Sequence, residues 1–400
     1  MPTASASLAE FQGLYGPYTL TERVLQKIWL RRDFDVASAR LSNGRALEVV
    51  HPGTWNLLGG PDFTAAKFAI DGVLIEGDVE VHFRVGDWSA HGHATNPSFA
   101  RVALHVVLFP PDPAARPAQR IDGVALPVLA LLPLLHRDLE EYAADDALER
   151  LTARDEWRRL NDLASRPPEV VNSLLREHAR ARWEAKVRYA RVRVERLGFE
   201  AAAHLTALEI LGYRFNRAAM CTVGIRFPLS LWRGTLDPEA IFAAGARTWH
   251  RQGVRPANHP RLRLRQYAAW VAARPDWPDR LLGMADTHGW TAPPDAKPKG
   301  KRRADLARWR EEFSDGITGN ILDGPRLDTL VCDGFLPLIA VRGPDRFEAW
   351  FDWYLGDVPA GVRNGLRRLG LTGLSGLPAR HGLGQGLIGW FLANQSCASA

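Results

Sequence analysis

The chain has 400 residues, enough for two or three domains with cores of their own. Its apolar and charged fractions, 46% and 24%, are those of a soluble globular protein, and no apolar run approaches the roughly 20 residues of a membrane span. The formal charge of +6 and a pI near 9.4 favour polyanionic partners, nucleic acid above all, although arginine far outnumbers lysine, as a GC-rich genome alone would produce.

The opening MPTASASLAEF lacks a basic segment followed by an apolar stretch, so no secretory signal is expected. Cys221, Cys332 and Cys397 are odd in number and widely spaced, which implies neither a disulfide framework nor a thiolate zinc site. Incidental thiols in a reducing cytoplasm are the expectation. Thr21 to Phe34 has helical periodicity, with Thr21 as N-cap and Val24, Leu25, Ile28 and Trp29 as the apolar stripe. A short strand is expected at Ala46 to Val50.

Phe63 to Ile70 and Val73 to Val85 read as strands joined by Asp71-Gly72, a strong hairpin signal. The second alternates: Asp78, Glu80, His82 and Arg84 point one way, Val79, Val81, Phe83 and Val85 the other. Asp87 to Ala100 is predicted as a helix or irregular segment. Arg101 to Phe109 is predicted as a central strand covered on both faces, and Ile121 to Leu132 can add one more. Prolines 110, 111, 113 and 117 punctuate the exit from this module. From about Leu134 helical patterns dominate, and Trp183, Val187, Ala190, Val194 and Leu197 are spaced as one buried stripe. Thr291 to Arg303 reads as a flexible basic loop.

Two constellations carry chemistry. The first is Asp62, Glu80 and His82. Carboxylate oxygens suit Mg2+ or Mn2+, and a cation relieves the repulsion between two close acids. His82, one pleat repeat past Glu80, shares its face and could orient or deprotonate a water. Regular pairing across a two-residue turn would put Asp62 opposite Val81, facing away from Glu80. A one-residue offset, from a three-residue loop or a bulge near Gly77, puts Asp62 opposite His82 and Thr64 opposite Glu80. The acid-pair reading requires that offset. The competing expectation is that Asp78, Glu80, His82 and Arg84 form a solvated sheet face.

The second constellation is His82, His91, His93 and His105, with Asp87 and Trp88 nearby and His51 upstream. His-x-His is a metal-ligand spacing that would suit Zn2+; the alternative is that these rings hold Glu80 or bind phosphate. Gly59-Gly60-Pro61 can let backbone approach a ligand or form a plain turn. Neither a Walker loop, nor Gly-x-Gly-x-x-Gly, nor Gly-x-Ser-x-Gly is present. Outside the module, Arg180, Arg188 and Arg191 lie on one arginine-rich helix and Arg255 and Arg261 in RPANHPRLRL. They can track a nucleic-acid backbone, or serve as a solvated surface and a helix cap.

The segment GPDF…GDVEVH…DWSAHGH…VALHVVLF resembles the signature of an uncharacterised bacterial family, a domain of unknown function. The resemblance extends to TERVLQKIW, RPANHPRLRL and QGLIGWF; its pattern has Asp at the position of Asn96 and Tyr at that of Phe99. The order helix, strand, Pro-Asp hairpin, Glu-x-His strand, helix, strand is also similar to the PD-(D/E)xK restriction-endonuclease-like core. That likeness implies Asp62, Glu80 and Glu22 as metal ligands together with the carbonyl of Val81, and puts His82 where lysine is usual. The expected fold is α+β: a restriction-endonuclease-like mixed-sheet module over residues 1–133, then a mainly helical domain over 134–400 interrupted by the loop at 291–303. The expected function is metal-dependent cleavage of phosphodiesters in DNA, or RNA, with Mg2+ or Mn2+. The alternatives are a non-catalytic nucleic-acid-binding or scaffold protein on a degenerate nuclease fold, and a histidine-ligated metallohydrolase of a small molecule.

Overall fold

The computed structural model describes residues 8–13, 16–56, 59–112, 117–137, 139–150, 160–234, 236–245, 249, 256–286, 299–356, 358, 360–371 and 380–394. The chain is α+β and forms two compact units, one built mainly from Thr19–Ala143 and the other mainly from Ala144–Ala244 and Gly253–Ala400. Among the described residues no helix is long and apolar enough to cross a membrane.

Strands β1 (Leu8–Gly13) and β2 (Gly16–Thr21) pair as a small separate sheet. Helix α1 (Glu22–Arg31) follows, with Thr21 extended at its N-cap and Val24, Leu25, Ile28 and Trp29 buried. It ends short of Phe34 because Arg32 turns left-handed (φ 53°) and its N–H returns to the carbonyls of Ile28 and Trp29. The main sheet runs β3 (Leu47–His51), β5 (Phe63–Ile70), β6 (Val73–His82), β7 (Val102–Val107), β8 (Val128–Ala130), with β4 (Thr54–Trp55) also on β5. β5 is antiparallel to β3 and β6, whereas β6, β7 and β8 are parallel. β7 is central and buried along almost its whole length, as its apolar sequence predicts. Between β6 and β7 the chain makes helix α2 (Asp87–Ala90) and two 3-10 turns, which pack Trp88 and Phe99 against Val102, Val107 and Val128.

The β5–β6 hairpin sets the site. Asp71 (φ 49°) and Gly72 (φ 82°) take left-handed conformations, so the turn has two residues and pairing starts at Ile70 with Val73. Pairing stays regular to Ala66 with Gly77, then resumes at Phe63 with Val79. Two residues of β5, Thr64 and Ala65, therefore span one residue of β6, Asp78. Ala65 is left-handed (φ 52°), and its N–H donates to Asp78 Oδ1 at 3.1 Å. The expected one-residue offset exists, but the extra residue is on β5. Asp62 consequently lies across from Glu80, not from His82, and Thr64 is in the bulge, not opposite Glu80. Gly77 contributes differently: a Cβ there would sit 2.5 Å from Ala103 Cβ, so only glycine lets β7 come this close.

In the second unit the long helix Pro168–Leu197 packs along the C-terminal helix His381–Ala393. The predicted stripe needs correction. Val171, Leu175, Ala179 and Trp183 are buried at four-residue spacing, whereas Val187 and Ala190 are half-buried and Leu197 is exposed. The C-terminal helix presents glycines where it comes closest to the long helix: a Cβ on Gly386 would lie 2.0 Å from the Leu175 carbonyl oxygen. Arg182 donates from Nε to Gln385 Oε1 at 2.8 Å across the same seam. Residues 291–298 of the expected basic loop lie outside the described residues. Lys299 opens a helix that runs to Glu311, so the stretch 299–303 is helical, not loop.

Candidate active site

Asp62 ends the turn that enters β5, and its backbone and side chain are tied to β6. Its N–H donates to Glu80 Oε2 at 2.9 Å, while its own Oδ2 accepts from the Val81 N–H at 3.0 Å. Its Oδ1 accepts from Gln26 Nε2 of α1 at 2.6 Å. The two acids thus share one face of the sheet. Asp78, Glu80 and His82 are all buried, so the solvated-face expectation is overturned; Arg84, past the end of β6, is the exposed member.

Four imidazoles complete the cluster. His82 Nδ1 lies 2.9 Å from His105 Nε2 on β7, and His82 Nε2 lies 3.1 Å from His91 Nδ1. Glu80 Oε1 stands 3.2 Å from His93 Nε2 and 3.5 Å from His82 Nε2. One ring nitrogen from each of His82, His91 and His93 falls within 4.8 Å of the others. Local sequence explains the convergence. Asp87 Oδ2 accepts from the Arg84 N–H at 2.8 Å and starts α2, Trp88 anchors α2 through Nε1 to the Gln119 carbonyl at 2.8 Å, and Gly92 (φ 75°) turns the chain between His91 and His93. His93 stacks on Phe99 with ring centroids 3.8 Å apart, and Trp88 packs edge-on to it. Asn96 Oδ1 accepts from the Ser98 N–H at 3.0 Å and starts the turn that carries Phe99.

Burial dominates the electrostatics. It pushes the Asp62 carboxyl up to about 8, with the neighbouring Glu80 adding to the rise and the Val81 N–H and Gln26 opposing it. Burial likewise pushes Glu80 up to about 8, against the Asp62 N–H. His82 is driven down to about 2 by burial and then by His105, His93 and His91; His105 falls to about 3 by burial and then by His93. At neutral pH the contacts of Glu80 with His82 and His93 are therefore between neutral groups, not ion pairs. This is a constellation of oxygen and nitrogen donors in which, among the described residues, no lysine or arginine contributes to the shift of either acid.

The family described as "Protein of unknown function (DUF2851)" matches residues 22–244, more than half of the chain. The chain belongs to this family. No curated protein and no solved structure matches it. The DUF2851 match takes in Glu22 and every acid and histidine of the cluster, and ends before the RPANHPRLRL and QGLIGWF segments.

The remaining predicted residues fall in several places. Glu22 is buried on α1, one helical turn before Gln26 and so on the same helix face. Asp87 caps α2. His51 is exposed, and its Nδ1 accepts from the Gly53 N–H at 3.1 Å. Arg180 is hydrogen-bonded to Asp345, and Arg261 donates to Glu239 at 2.6 Å. Arg188 lies 5.1 Å from the Tyr189 ring centroid, Arg191 is exposed, and Arg255 lies outside the described residues, as does Cys397; Cys221 and Cys332 are buried. Within RPANHPRLRL, Asn258 Oδ1 accepts from Arg263 at 2.9 Å and from Arg326 at 2.5 Å, and His259 caps the next helix. That segment has the structural role of cap and brace. Sequence reading missed Gln26 and Asp78. Gln26 carried a signal, a second polar residue four positions after Glu22 on an otherwise apolar helix face; the role of Asp78 depends on a bulge in another strand.

Proposed function

We propose that this chain is a metal-dependent hydrolase of phosphodiesters, acting on DNA or RNA, with Asp62 and Glu80 as the acids that hold the ion. The observation that carries the reading is the placement of the two acids across from each other in the β5–β6 hairpin, Glu80 buried and Asp62 half-buried, with both carboxyls raised off their ordinary ionisation range. Such a pair ionises readily only beside a cation. Asp62 Oδ1, Asp62 Oδ2 and Glu80 Oε2 each have spare acceptor capacity beyond one hydrogen bond, so the donor set fits a hard divalent ion such as Mg2+ or Mn2+. The ion supplies Lewis acidity toward a phosphoryl oxygen. Gln26 and the Val81 N–H orient Asp62, and the Asp62 N–H orients Glu80. His82, held neutral far below the usual imidazole range, is a poor proton acceptor at neutral pH; it positions Glu80 and does not take a proton from water. The element order α1, β3, the β5–β6 hairpin, α2, β7 follows that of the PD-(D/E)xK core and adds support.

A second reading, a histidine-held metal that hydrolyses a small molecule, is favoured by the engagement of Arg180 and Arg261 with acids of their own. The test is cleavage of plasmid DNA, single-stranded DNA and RNA with Mg2+ or Mn2+, by wild type, Asp62→Asn and Glu80→Gln. Loss of cleavage by at least about 100-fold in both folded variants is expected, the scale of removing a group that stabilises the transition state. Variants that cut like wild type overturn the mechanism. Turnover of small phosphodiesters alone moves the assignment to the second reading.

A further inference from the structure

We infer that His82 Nε2, His91 Nδ1, His93 Nε2 and Glu80 Oε1 form a binding site, sharing Glu80 with the acid pair, for one borderline transition-metal ion of the Zn2+ or Co2+ class. A tetrahedral ion with bonds of about 2.0–2.1 Å has donor atoms about 3.3 Å apart along each edge. Three of the edges are already close to that length: 3.1 Å from His82 to His91, 3.5 Å from His82 to Glu80, and 3.2 Å from His93 to Glu80. One ring nitrogen from each of the three histidines lies within 4.8 Å of the others, near enough to share one ion. Three imidazoles and one carboxylate favour zinc and its neighbours over magnesium.

The surroundings are built for ligation. With Nε2 of His82 turned to the ion, its proton sits on Nδ1 and is donated to His105 Nε2 at 2.9 Å, the outer contact that fixes the tautomer of a ligating histidine. His93 is clamped between Phe99 and Trp88 with its Nε2 toward Glu80. His91 is exposed, which gives an ion a way in from water, yet its Nδ1 faces inward. Glu80 divides its carboxylate: Oε2 meets the Asp62 N–H and Oε1 meets the histidines. His105 is a positioning residue.

Binding at this site is measured without phosphodiester cleavage. Full-length protein, stripped with chelator and dialysed, is titrated with Co2+ and with Zn2+. One equivalent of Co2+ giving the intense visible bands of tetrahedral coordination, displaced by Zn2+, is expected. His91→Ala, on an exposed side chain that leaves the core packed, should weaken binding at least 100-fold and abolish the bands. His105→Gln should weaken binding by about 10–100-fold with the bands kept. Asp62→Asn should leave both unchanged while removing the nuclease activity, if the chain has it. Wild type that binds no Co2+ beyond the His91→Ala level, or that shows only octahedral spectra, overturns the inference. Tight tetrahedral binding by a protein that cuts nothing leaves the inference standing and removes the nuclease reading.

Discussion

Glu80→Gln should make the metal-free protein more stable, and increasingly so as the pH rises. A carboxyl raised to about 8 in the folded chain, from 4.5 when exposed, holds its proton more tightly folded than unfolded. The unfolded chain therefore releases that proton first. Stability is greatest below 4.5, falls as pH rises through the window to about 8, and is level above it. At 1.36 kcal/mol per unit the full window corresponds to about 5 kcal/mol, an upper limit because water entering an opened site relieves part of it. Glutamine keeps the shape and an acceptor for the Asp62 N–H but cannot ionise. Its amide also removes the charge that helps raise Asp62. A gain of about 2–5 kcal/mol over wild type is expected at pH 8 in chelator, shrinking to within about 1 kcal/mol near pH 5. The unfolding midpoint should rise by at least about 4 °C at the higher pH. Urea unfolding at pH 5, 6, 7 and 8, followed by tryptophan fluorescence, measures it. A variant no more stable than wild type at pH 8, or a gain independent of pH, would mean that Glu80 is solvated when the ion is absent.

Three further outcomes follow from the same geometry. Histidines 82 and 105, lowered to about 2 and 3 from 6.5, stabilise the fold above pH 6.5 and lose that contribution as the pH falls toward 3; His105→Gln should flatten this acid limb by about 1 kcal/mol per pH unit in urea titrations, and an unchanged slope refutes the burial of that ring. Asp78→Ala removes the acceptor for the Ala65 N–H in the bulge and should cost about 1–3 kcal/mol in urea unfolding; it should also weaken cleavage by misplacing Asp62, and a variant with normal stability and cleavage shows that the bulge holds itself. Gly386→Ala drives a methyl into the Leu175 carbonyl, a backbone atom that cannot rotate away; a loss of about 1–3 kcal/mol or more in thermal unfolding is expected, and wild-type stability would refute the packing of the two helices.

Local signals made most of the first unit legible. Asp71-Gly72 specified its own turn, the alternation along Val79 to Val85 gave the strand phase, and the doubly apolar run Val102–Val107 gave the central strand. The acid pair was legible only as a condition: the two carboxyls meet if one residue is added somewhere. Which strand carries it was not readable, because Ala65 has no sequence mark of a left-handed conformation and its N–H is held by a side chain from the partner strand. The burial of Glu80 and His82 was hidden for a related reason. Alternating polar residues look solvated until another element covers them, and here the cover comes from α1 through Gln26 and from the α2 segment through His91 and His93. On the long helix, spacing gave the period but not how far the contact reached, since the partner helix lies about 200 residues away and its glycines reveal nothing about which turn they meet.

A polar cluster of this kind needs a reason. Buried Glu80, His82 and His105 on one face of a sheet lose hydration that apolar side chains of the same volume would not lose, and replacing buried polar networks with well-packed apolar groups is often neutral or stabilising. A purely structural network also tends to satisfy its own hydrogen bonds. This one leaves the buried Nδ1 atoms of His93 and His105 without a partner among the described residues, while two ring nitrogens, those of His82 and His93, converge on Glu80 Oε1. His91 sharpens the point. It is exposed, where water could satisfy its ring, yet its Nδ1 faces the buried His82. Electron-pair donors brought together beyond what they need from each other are poised for something electron-poor. If the cluster were only packing, cations would not change its stability. If it is a cation site, divalent ions should raise the unfolding midpoint most at the pH where the empty site is least stable, above 7, and least near 5, where protons occupy the two acids.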